Sequence, residues 1–132
     1  MGDGGDKIAA PNVEELVETY LEAWMERRGP ARRRLLGRCW SPAGTYSSWT
    51  TSLDGLDALD EHISQQHEHI EAGSRLERTS ELHLHEGRLS FTWAVVGPDG
   101  EVDFEGSEFA ELDDEGRLAR VTSFSGRPAR RS

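Results

Sequence analysis

The spacing of apolar residues changes once along this chain of 132 residues, at Gly73. Before Gly73 the apolar residues repeat mainly every three or four positions, which is the period of an amphipathic helix. After Gly73 they alternate with polar residues, which is the period of a strand with one buried face. Because short turn sequences join the later segments, we expect antiparallel hairpins there, and helices gathered before a sheet predict an α+β fold.

The predicted element order is α-α-β-α-β-β-β-β. Three helices are predicted, over residues 13–28, over residues 31–40 and from a cap at Asp54 to Gly73. A turn at 41–44 precedes the first predicted strand at 45–51, and the last four strands are predicted near residues 82–85, 89–95, 102–112 and 118–125. A curved antiparallel sheet wrapped round helices leaves a pocket between the layers, where an enclosed small-ligand site is expected.

Glu108 interrupts the clearest alternation in the sequence. The segment V-D-F-E-G-S-E-F-A-E-L, residues 102–112, places Glu108 on the apolar side, where Gly106 and Ala110 leave room. A carboxylate in apolar surroundings needs a partner, or its pKa rises until it is neutral. Glu108 is therefore either a general acid or base, an anchor for a polar ligand, or a structural carboxylate paired with an arginine or a hydroxyl.

Tyr20 lies on the apolar stripe of the first predicted helix, so its hydroxyl needs a partner in the interior. It is either a donor that stabilises a developing oxyanion or an ordinary core tyrosine. Strand parity and the helix stripe predict seven further residues in the pocket wall: Tyr46, Ser48, Ile63, Gln66, Phe91, Trp93 and Phe104.

No cofactor or metal is expected. His83 and His85 share one strand face, but no third ligand can be placed beside them, so they are expected in water or at a subunit contact. The remaining histidines, His62, His67 and His69, do not share a helical face. Cys39 has no recognisable base and is expected to be buried and inert. The sequence contains no phosphate-binding loop and no dinucleotide-binding fingerprint.

Charge and hydropathy exclude several classes of partner. The sequence has 25 acidic and 15 basic residues, a formal net charge of −10, which repels a phosphate backbone, so no nucleic acid partner is expected. No apolar run is long enough to span a membrane and no export leader is recognised, so no membrane partner is expected. The single cysteine suits a reducing compartment, and a cytoplasmic location is expected.

The arginine-rich segment 27–38 is expected to be a solvated helical face rather than an anion site. Residues 12–126 are predicted to form one domain, between a disordered tail at 1–11 and a basic tail at 127–132.

Four segments resemble the nuclear transport factor 2-like superfamily, and the nearest branch is the SnoaL-like polyketide cyclase and ketosteroid isomerase group. They read Y-L-E-A-W-M-E-R-R, L-L-G-R-C-W-S-P-A-G-T-Y, D-G-L-D-A-L-D-E-H-I and E-G-S-E-F-A-E-L-D-D-E-G-R-L-A-R-V-T-S-F. The resemblance covers residues 12–126. It implies a cone-shaped α+β barrel with a deep pocket, often dimeric through the sheet, so a homodimer is expected.

The resemblance also implies roles for individual residues. Tyr20 falls where the isomerases keep an oxyanion-hole tyrosine, and Glu108 falls where they keep a protonated acid and the cyclases an acid/base aspartate. Ser48 falls where the isomerases keep the aspartate that abstracts the proton. Because a serine cannot take that role unaided, ketosteroid isomerisation by the familiar mechanism is not expected.

Two hypotheses about function remain open. The first is a cofactor-free enzyme that acts on a small, largely apolar carbonyl compound, in which Glu108 moves a proton and Tyr20 donates a hydrogen bond to an enolate-like oxygen. The second is a noncatalytic ligand-binding or dimeric scaffold domain, in which Glu108 is only a polar anchor.

Overall fold

The computed structural model describes residues 12–126, so the predictions for the tails at 1–11 and 127–132 lie outside the described residues. Three helices pack on one seven-stranded sheet. The helices are α1 (Asn12–Met25), α2 (Gly29–Cys39) and α3 (Leu56–Gln66), and a 3₁₀ turn (His67–His69) follows α3. Within the described residues, no helix has the length and apolar character needed to cross a membrane.

The strands are β1 (Trp40–Ser47), β2 (Ser52–Asp54), β3 (Arg75–Arg78), β4 (His83–His85), β5 (Arg88–Val96), β6 (Val102–Leu112) and β7 (Leu118–Ser125). They form one curved sheet in the order β2-β1-β7-β6-β5-β3, and β4 also pairs with β5. β1 and β7 run parallel, whereas the other neighbouring strands are antiparallel. The predicted α+β cone is confirmed, although its sheet is open rather than closed into a barrel. The predicted element order lacked β2 and β3, and the sheet is mixed rather than wholly antiparallel.

The segment predicted to be a turn, residues 41–44, lies inside β1, so that prediction is wrong. β1 pairs with β7 at Trp40 and again from Thr45, and the register shifts between these two positions. Pro42 lies in this irregular stretch, where its missing N–H removes no regular ladder bond. The Ser-Pro-Ala-Gly sequence therefore forms an irregular, bulged part of β1 and not a turn.

Asp54 does not cap α3. It is the last residue of β2 and pairs with Thr45 of β1. Gly55 occupies the cap position instead, with a φ of 90° that favours glycine, and it has no side chain with which to cap the helix. The sequence predicted the start of this helix to within two residues, but Asp54 belongs to β2 and not to the helix cap.

The hydrophobic core lies between the three helices and the inner face of the sheet. Tyr20 of α1 and Trp40 at the start of β1 stack within it, with ring centroids 6.1 Å apart and an interplanar angle of 8°. Both are almost fully buried, and they pack with Leu36, Leu59 and other apolar side chains. Each fully buried large side chain contributes about 1.5–3 kcal/mol, so this cluster fixes α1 against the sheet.

The arginine-rich segment is not a uniformly solvated face. Arg32 is buried, and its Nε donates to Asp60 Oδ1 at 2.6 Å while its Nη1 donates to the Glu26 carbonyl at 2.8 Å. Arg27 donates to the Ile70 carbonyl at 2.6 Å. These bonds tie the three helices together, so the expectation of a solvated face is wrong for Arg32.

Candidate active site

A cavity of about 870 Å³ lies between the helices and the inner face of the sheet. Residues of α1, α3, β1, β5, β6 and β7 line it. Val102 and Phe104, at the start of β6, belong to its wall and are 55% and 49% exposed. The cavity is therefore open to solvent at this mouth rather than enclosed.

Seven of the nine predicted site residues line this cavity, namely Tyr20, Tyr46, Ser48, Gln66, Trp93, Phe104 and Glu108. Ile63 and Phe91 do not, because both lie in the hydrophobic core. Residues four apart share a helix face, so α3 turns Leu59 and Ile63 into the core and His62 and Gln66 toward the cavity. Phe91 has the strand parity of Trp93, but it lies further from the mouth, where core side chains fill the space.

Glu108 lies on the inner face of β6 and is 6% exposed. In the sheet it is paired with Ser123 of β7 on one side and with Phe91 of β5 on the other. Its Oε1 has no hydrogen-bond partner among the described residues. Burial raises the pKa of this carboxyl to about 7, against a smaller lowering by the nearby Ser123 and Tyr20 hydroxyls. Near pH 7 it can therefore both accept and release a proton.

Tyr20 presents its hydroxyl to the same cavity from α1. The Tyr20 ring stacks on Trp40 and meets Trp24 edge to face. The Tyr20 and Trp24 ring centroids are 6.4 Å apart at an interplanar angle of 80°. Burial, and then the charge of Glu108, raise the pKa of this phenol well above its usual range. The hydroxyl stays protonated, has no hydrogen-bond partner among the described residues and is available as a donor.

Tyr46 and Ser123 complete the surroundings of the carboxyl. β1 lies beside β7 and β7 lies beside β6, so Tyr46, Ser123 and Glu108 come from three neighbouring strands. Burial raises the pKa of Tyr46, the charge of Glu108 raises it further, and the Ser123 hydroxyl lowers it. Strand parity predicted Tyr46 in the wall, but its closeness to Glu108 depends on the parallel pairing of β1 and β7, for which the sequence carries no local signal.

His62 is a cavity residue that the sequence analysis missed. Its ring centroid lies 5.5 Å from that of Tyr46 and 5.9 Å from that of Trp24, which it meets edge to face at 86°. Burial lowers the pKa of the imidazole, so it is neutral at pH 7. Its spacing of four from Gln66 was the available signal. Within residues 12–126, no cluster of three or more side chains suitable for a metal is present.

Trp93 reaches the cavity because Gly106 has no side chain. The two residues are paired across β5 and β6, and a Cβ at Gly106 would lie 2.5 Å from Cζ2 of the Trp93 ring. The indole therefore occupies the space above the glycine. The Nε1 atoms of Trp93 and Trp24 are buried and have no hydrogen-bond partner among the described residues. Unpaired buried polar groups are rare in native structures and call for an explanation such as a ligand or water.

The other residues that the sequence analysis considered have no comparable acid–base role in the cavity. Ser48 lines the cavity, and its N–H donates to the Thr51 carbonyl at 2.8 Å. Cys39 is fully buried, and burial raises the pKa of its thiol to about 12, so it is not a nucleophile at neutral pH. His83 and His85 are exposed on β4.

Comparison with known proteins finds solved structures with a similar fold. No family profile matches the sequence, and no curated protein sequence matches it. A candidate isomerase of the SnoaL-like family from Agrobacterium tumefaciens has a TM-score of 0.78 and 26% identity, over 86% of this chain and 96% of that one. A candidate polyketide cyclase from Sinorhizobium meliloti has a TM-score of 0.63 and 16% identity, over 83% of this chain and 93% of that one.

A nuclear transport factor 2-like protein of unknown function from Cytophaga hutchinsonii has a TM-score of 0.62 and 10% identity, over 86% of this chain and 88% of that one. The predicted resemblance to SnoaL-like and nuclear transport factor 2-like folds is therefore confirmed.

Proposed function

We propose that this protein binds a small, largely apolar carbonyl compound in the cavity and catalyses a cofactor-free proton transfer on it, as an isomerase or cyclase. One observation carries the proposal. A buried carboxyl with a pKa near 7 and a buried, protonated phenol line the same cavity, and neither Glu108 Oε1 nor the Tyr20 hydroxyl has a hydrogen-bond partner among the described residues. A carboxyl with that pKa suits general acid–base catalysis near neutral pH.

The mechanism assigns one step to each group. The substrate carbonyl oxygen accepts a hydrogen bond from the Tyr20 hydroxyl. Ionised Glu108 removes a proton from the carbon next to the carbonyl, and the electron pair of that C–H bond forms an enolate. In a β,γ-unsaturated ketone this enolate is conjugated with the C=C bond, so neutral Glu108 can return the proton to the γ carbon. The double bond moves to the α,β position, and the isomerisation neither gains nor loses atoms. The proton-abstracting role thus falls on Glu108, since Ser48 lacks the required basicity.

The wall also supplies electrostatic stabilisation. The enolate oxygen gains negative charge, and donors fixed in a dry site stabilise such charge more strongly than water does. Tyr20 provides one donor, and the indole N–H groups of Trp24 and Trp93 provide two more in the same wall. Because Glu108 becomes neutral as the enolate forms, two negative charges are never placed side by side.

Hydrogen exchange tests the proposal without the natural substrate. Cyclohexanone and 2-decalone are incubated with the protein in D₂O, and deuterium entry beside the carbonyl is followed by NMR. We expect exchange above the buffer rate that is lost in Glu108→Gln and kept in Glu111→Gln, which changes a carboxylate on the same strand but on its other face. Absence of exchange with both ketones, or equal exchange in Glu108→Gln, would contradict the catalytic proposal.

A noncatalytic binding role is the second candidate. It is favoured by the serine at position 48, where the isomerases keep the aspartate that abstracts the proton. If both ketones bind to the wild-type protein and to Glu108→Gln without any exchange, the cavity is a binding site in which Glu108 is only a polar anchor.

We also propose a homodimer through the outer face of the sheet. Phe109 of β6 and Phe124 of β7 are each nearly half exposed on neighbouring strands. Sedimentation velocity of the wild-type protein and of Phe109→Ser/Phe124→Ser tests this, because only the wild type should sediment as a dimer.

A further inference from the structure

We propose that His62 and Gln66 of α3 form a polar subsite in the cavity wall that binds a hydroxyl group of the ligand. This inference deepens the proposed function and rests on it, because it assigns the ligand to the hydroxy ketones, whose hydroxyl is bound separately from the reacting carbonyl. The position of the two side chains, their hydrogen-bonding groups and the uneven polarity of the cavity wall support it.

His62 and Gln66 lie on the face of α3 that is turned toward the cavity. They are four residues apart in the helix, which places their Cβ atoms about 5–6 Å from each other, and both line the cavity. Each is partly exposed, whereas Leu59 and Ile63 on the adjoining face are fully buried in the core. One small polar group in the cavity can therefore reach both side chains.

Aromatic contacts hold the His62 ring in place. The ring meets Trp24 edge to face and is tilted by 42° against Tyr46. Neither His62 nor Gln66 makes a side-chain hydrogen bond to another described residue. Burial lowers the pKa of the imidazole, so at pH 8 one ring nitrogen donates and the other accepts. The Gln66 amide also supplies both donors and an acceptor, so the subsite offers both kinds of hydrogen-bonding group.

This combination of donors and acceptors selects a hydroxyl group. A hydroxyl both donates and accepts, whereas a second carbonyl only accepts and an ammonium only donates. A carboxylate would also lack a counter-charge, because no lysine or arginine is among the described residues that line the cavity. A hydroxyl is therefore the smallest group that can satisfy the imidazole and the amide together.

The polarity of the rest of the wall favours the same orientation of the ligand. α3 packs on β1, and Ser48 beyond the end of β1 and Ser123 of neighbouring β7 add hydroxyl groups to this side of the cavity. α1 packs on β3 at the other end of the sheet, and there the wall includes the apolar side chains of Leu21, Met25 and Leu76. A ligand with a hydroxyl on one edge and hydrocarbon on the other matches both sides.

A matched ligand pair tests the inference. 6-Hydroxy-2-decalone and 2-decalone share one ring skeleton and one carbonyl, but only the first has a hydroxyl group. Calorimetry at pH 8 should show at least one diastereomer of the hydroxy ketone binding about three- to tenfold more tightly than 2-decalone. The variant His62→Phe/Gln66→Met keeps an aromatic ring and the side-chain length, and it should remove this preference without weakening 2-decalone binding. If the double variant does not fold, Gln66→Met alone should still lower the preference.

The control variant makes the same two exchanges elsewhere. Gln65 and His83 are exposed and lie outside the cavity, so Gln65→Met/His83→Phe should keep the preference for the hydroxy ketone. Equal affinity of the wild type for the two ketones overturns the inference, and so does a preference that persists in His62→Phe/Gln66→Met. If 2-decalone binds and exchanges deuterium but the hydroxyl adds no affinity, only this inference fails. If neither ketone binds, the proposed function fails with it.

Discussion

Glu108 on β6 and Tyr20 on α1 each shift the pKa of the other, although neither Glu108 Oε1 nor the Tyr20 hydroxyl has a hydrogen-bond partner among the described residues. A buried polar atom left unpaired costs about 1–3 kcal/mol. The protein therefore gives up stability to keep a proton donor and a proton acceptor ready in the same cavity. A ligand that satisfies both groups recovers that free energy on binding.

Glu108→Gln should stabilise the protein at pH 8 but much less at pH 5. Folding raises the pKa of this carboxyl from 4.5 to about 7, so the folded state holds a proton that the unfolded state loses between these values. The resulting penalty is absent below pH 4.5, grows as the pH rises and reaches about 3 kcal/mol above pH 7. Urea unfolding at both pH values measures it, and a gain independent of pH would contradict the assignment.

The rate of deuterium exchange should rise with pH and level off above about pH 7. Only the ionised form of Glu108 can remove a proton, and burial sets its pKa to about 7. A profile of kcat/KM from pH 5 to pH 9 for 2-decalone gives the midpoint. If the rate falls over this range, Glu108 acts first as an acid, and the order of the two proton transfers must be reversed.

Tyr20→Phe should reduce the exchange rate about 100-fold without destabilising the fold. The ring and its stacking on Trp40 remain, and the lost hydroxyl has no hydrogen-bond partner among the described residues. Thermal unfolding and exchange are measured on the same preparation. Full activity in this variant would exclude a donor role, whereas a large fall in Tm would show that the hydroxyl has a structural partner.

Gly106→Ala should destabilise the protein by about 1–3 kcal/mol and weaken ketone binding. The added methyl group would overlap the Trp93 ring and the Phe124 carbonyl, and backbone cannot move aside as a side chain can. Gly37→Ala is the matched control, because Gly37 is exposed in α2 with no atom within 4 Å of an added Cβ, so it should stabilise the helix by about 0.5–1 kcal/mol. Equal effects of the two changes in urea unfolding would refute the steric argument.

Arg32→Ala should cost about 2–4 kcal/mol of unfolding free energy. The change leaves the Asp60 carboxylate, which is mostly buried, without its 2.6 Å partner, and Arg33 at 3.3 Å only partly replaces it. Arg34→Ala, in the same helix but exposed, should change stability by less than about 0.5 kcal/mol. Chemical denaturation of both variants measures how much the buried ion pair contributes to the free energy of unfolding.

The sequence predicted the inward direction of Glu108 because a strand has a strict period of two and β6 keeps that period over eleven residues. Tyr20 was placed correctly for a similar reason, since α1 has a regular apolar stripe. In both cases a local pattern determines which face a side chain occupies. The fold class followed from the same patterns, together with a family resemblance that the solved structures confirm.

What the sequence could not predict depends on contacts between distant segments. The parallel pairing of β1 and β7 brings Tyr46 next to Glu108, and no local pattern specifies that pairing. The rotation of α3 decides that His62 rather than Ile63 faces the cavity, because neighbouring positions on a helix lie about 100° apart. Pro42 suggested a turn, but a register shift in β1 accommodates it.

The open sheet limits how this protein can associate. Among the described strands, β2, of three residues, forms one edge, and β3, of four, and β4, of three, form the other. Arg78 of β3 is bonded to Glu14 of α1 at 2.9 Å. Such short, charged and partly covered edges offer little backbone for another chain to extend. Self-association through the face of the sheet would place the same surface on both sides of a two-fold axis and stop at two copies. Pairing of one edge with the opposite edge of the next copy would be heterologous and could propagate into a fibre.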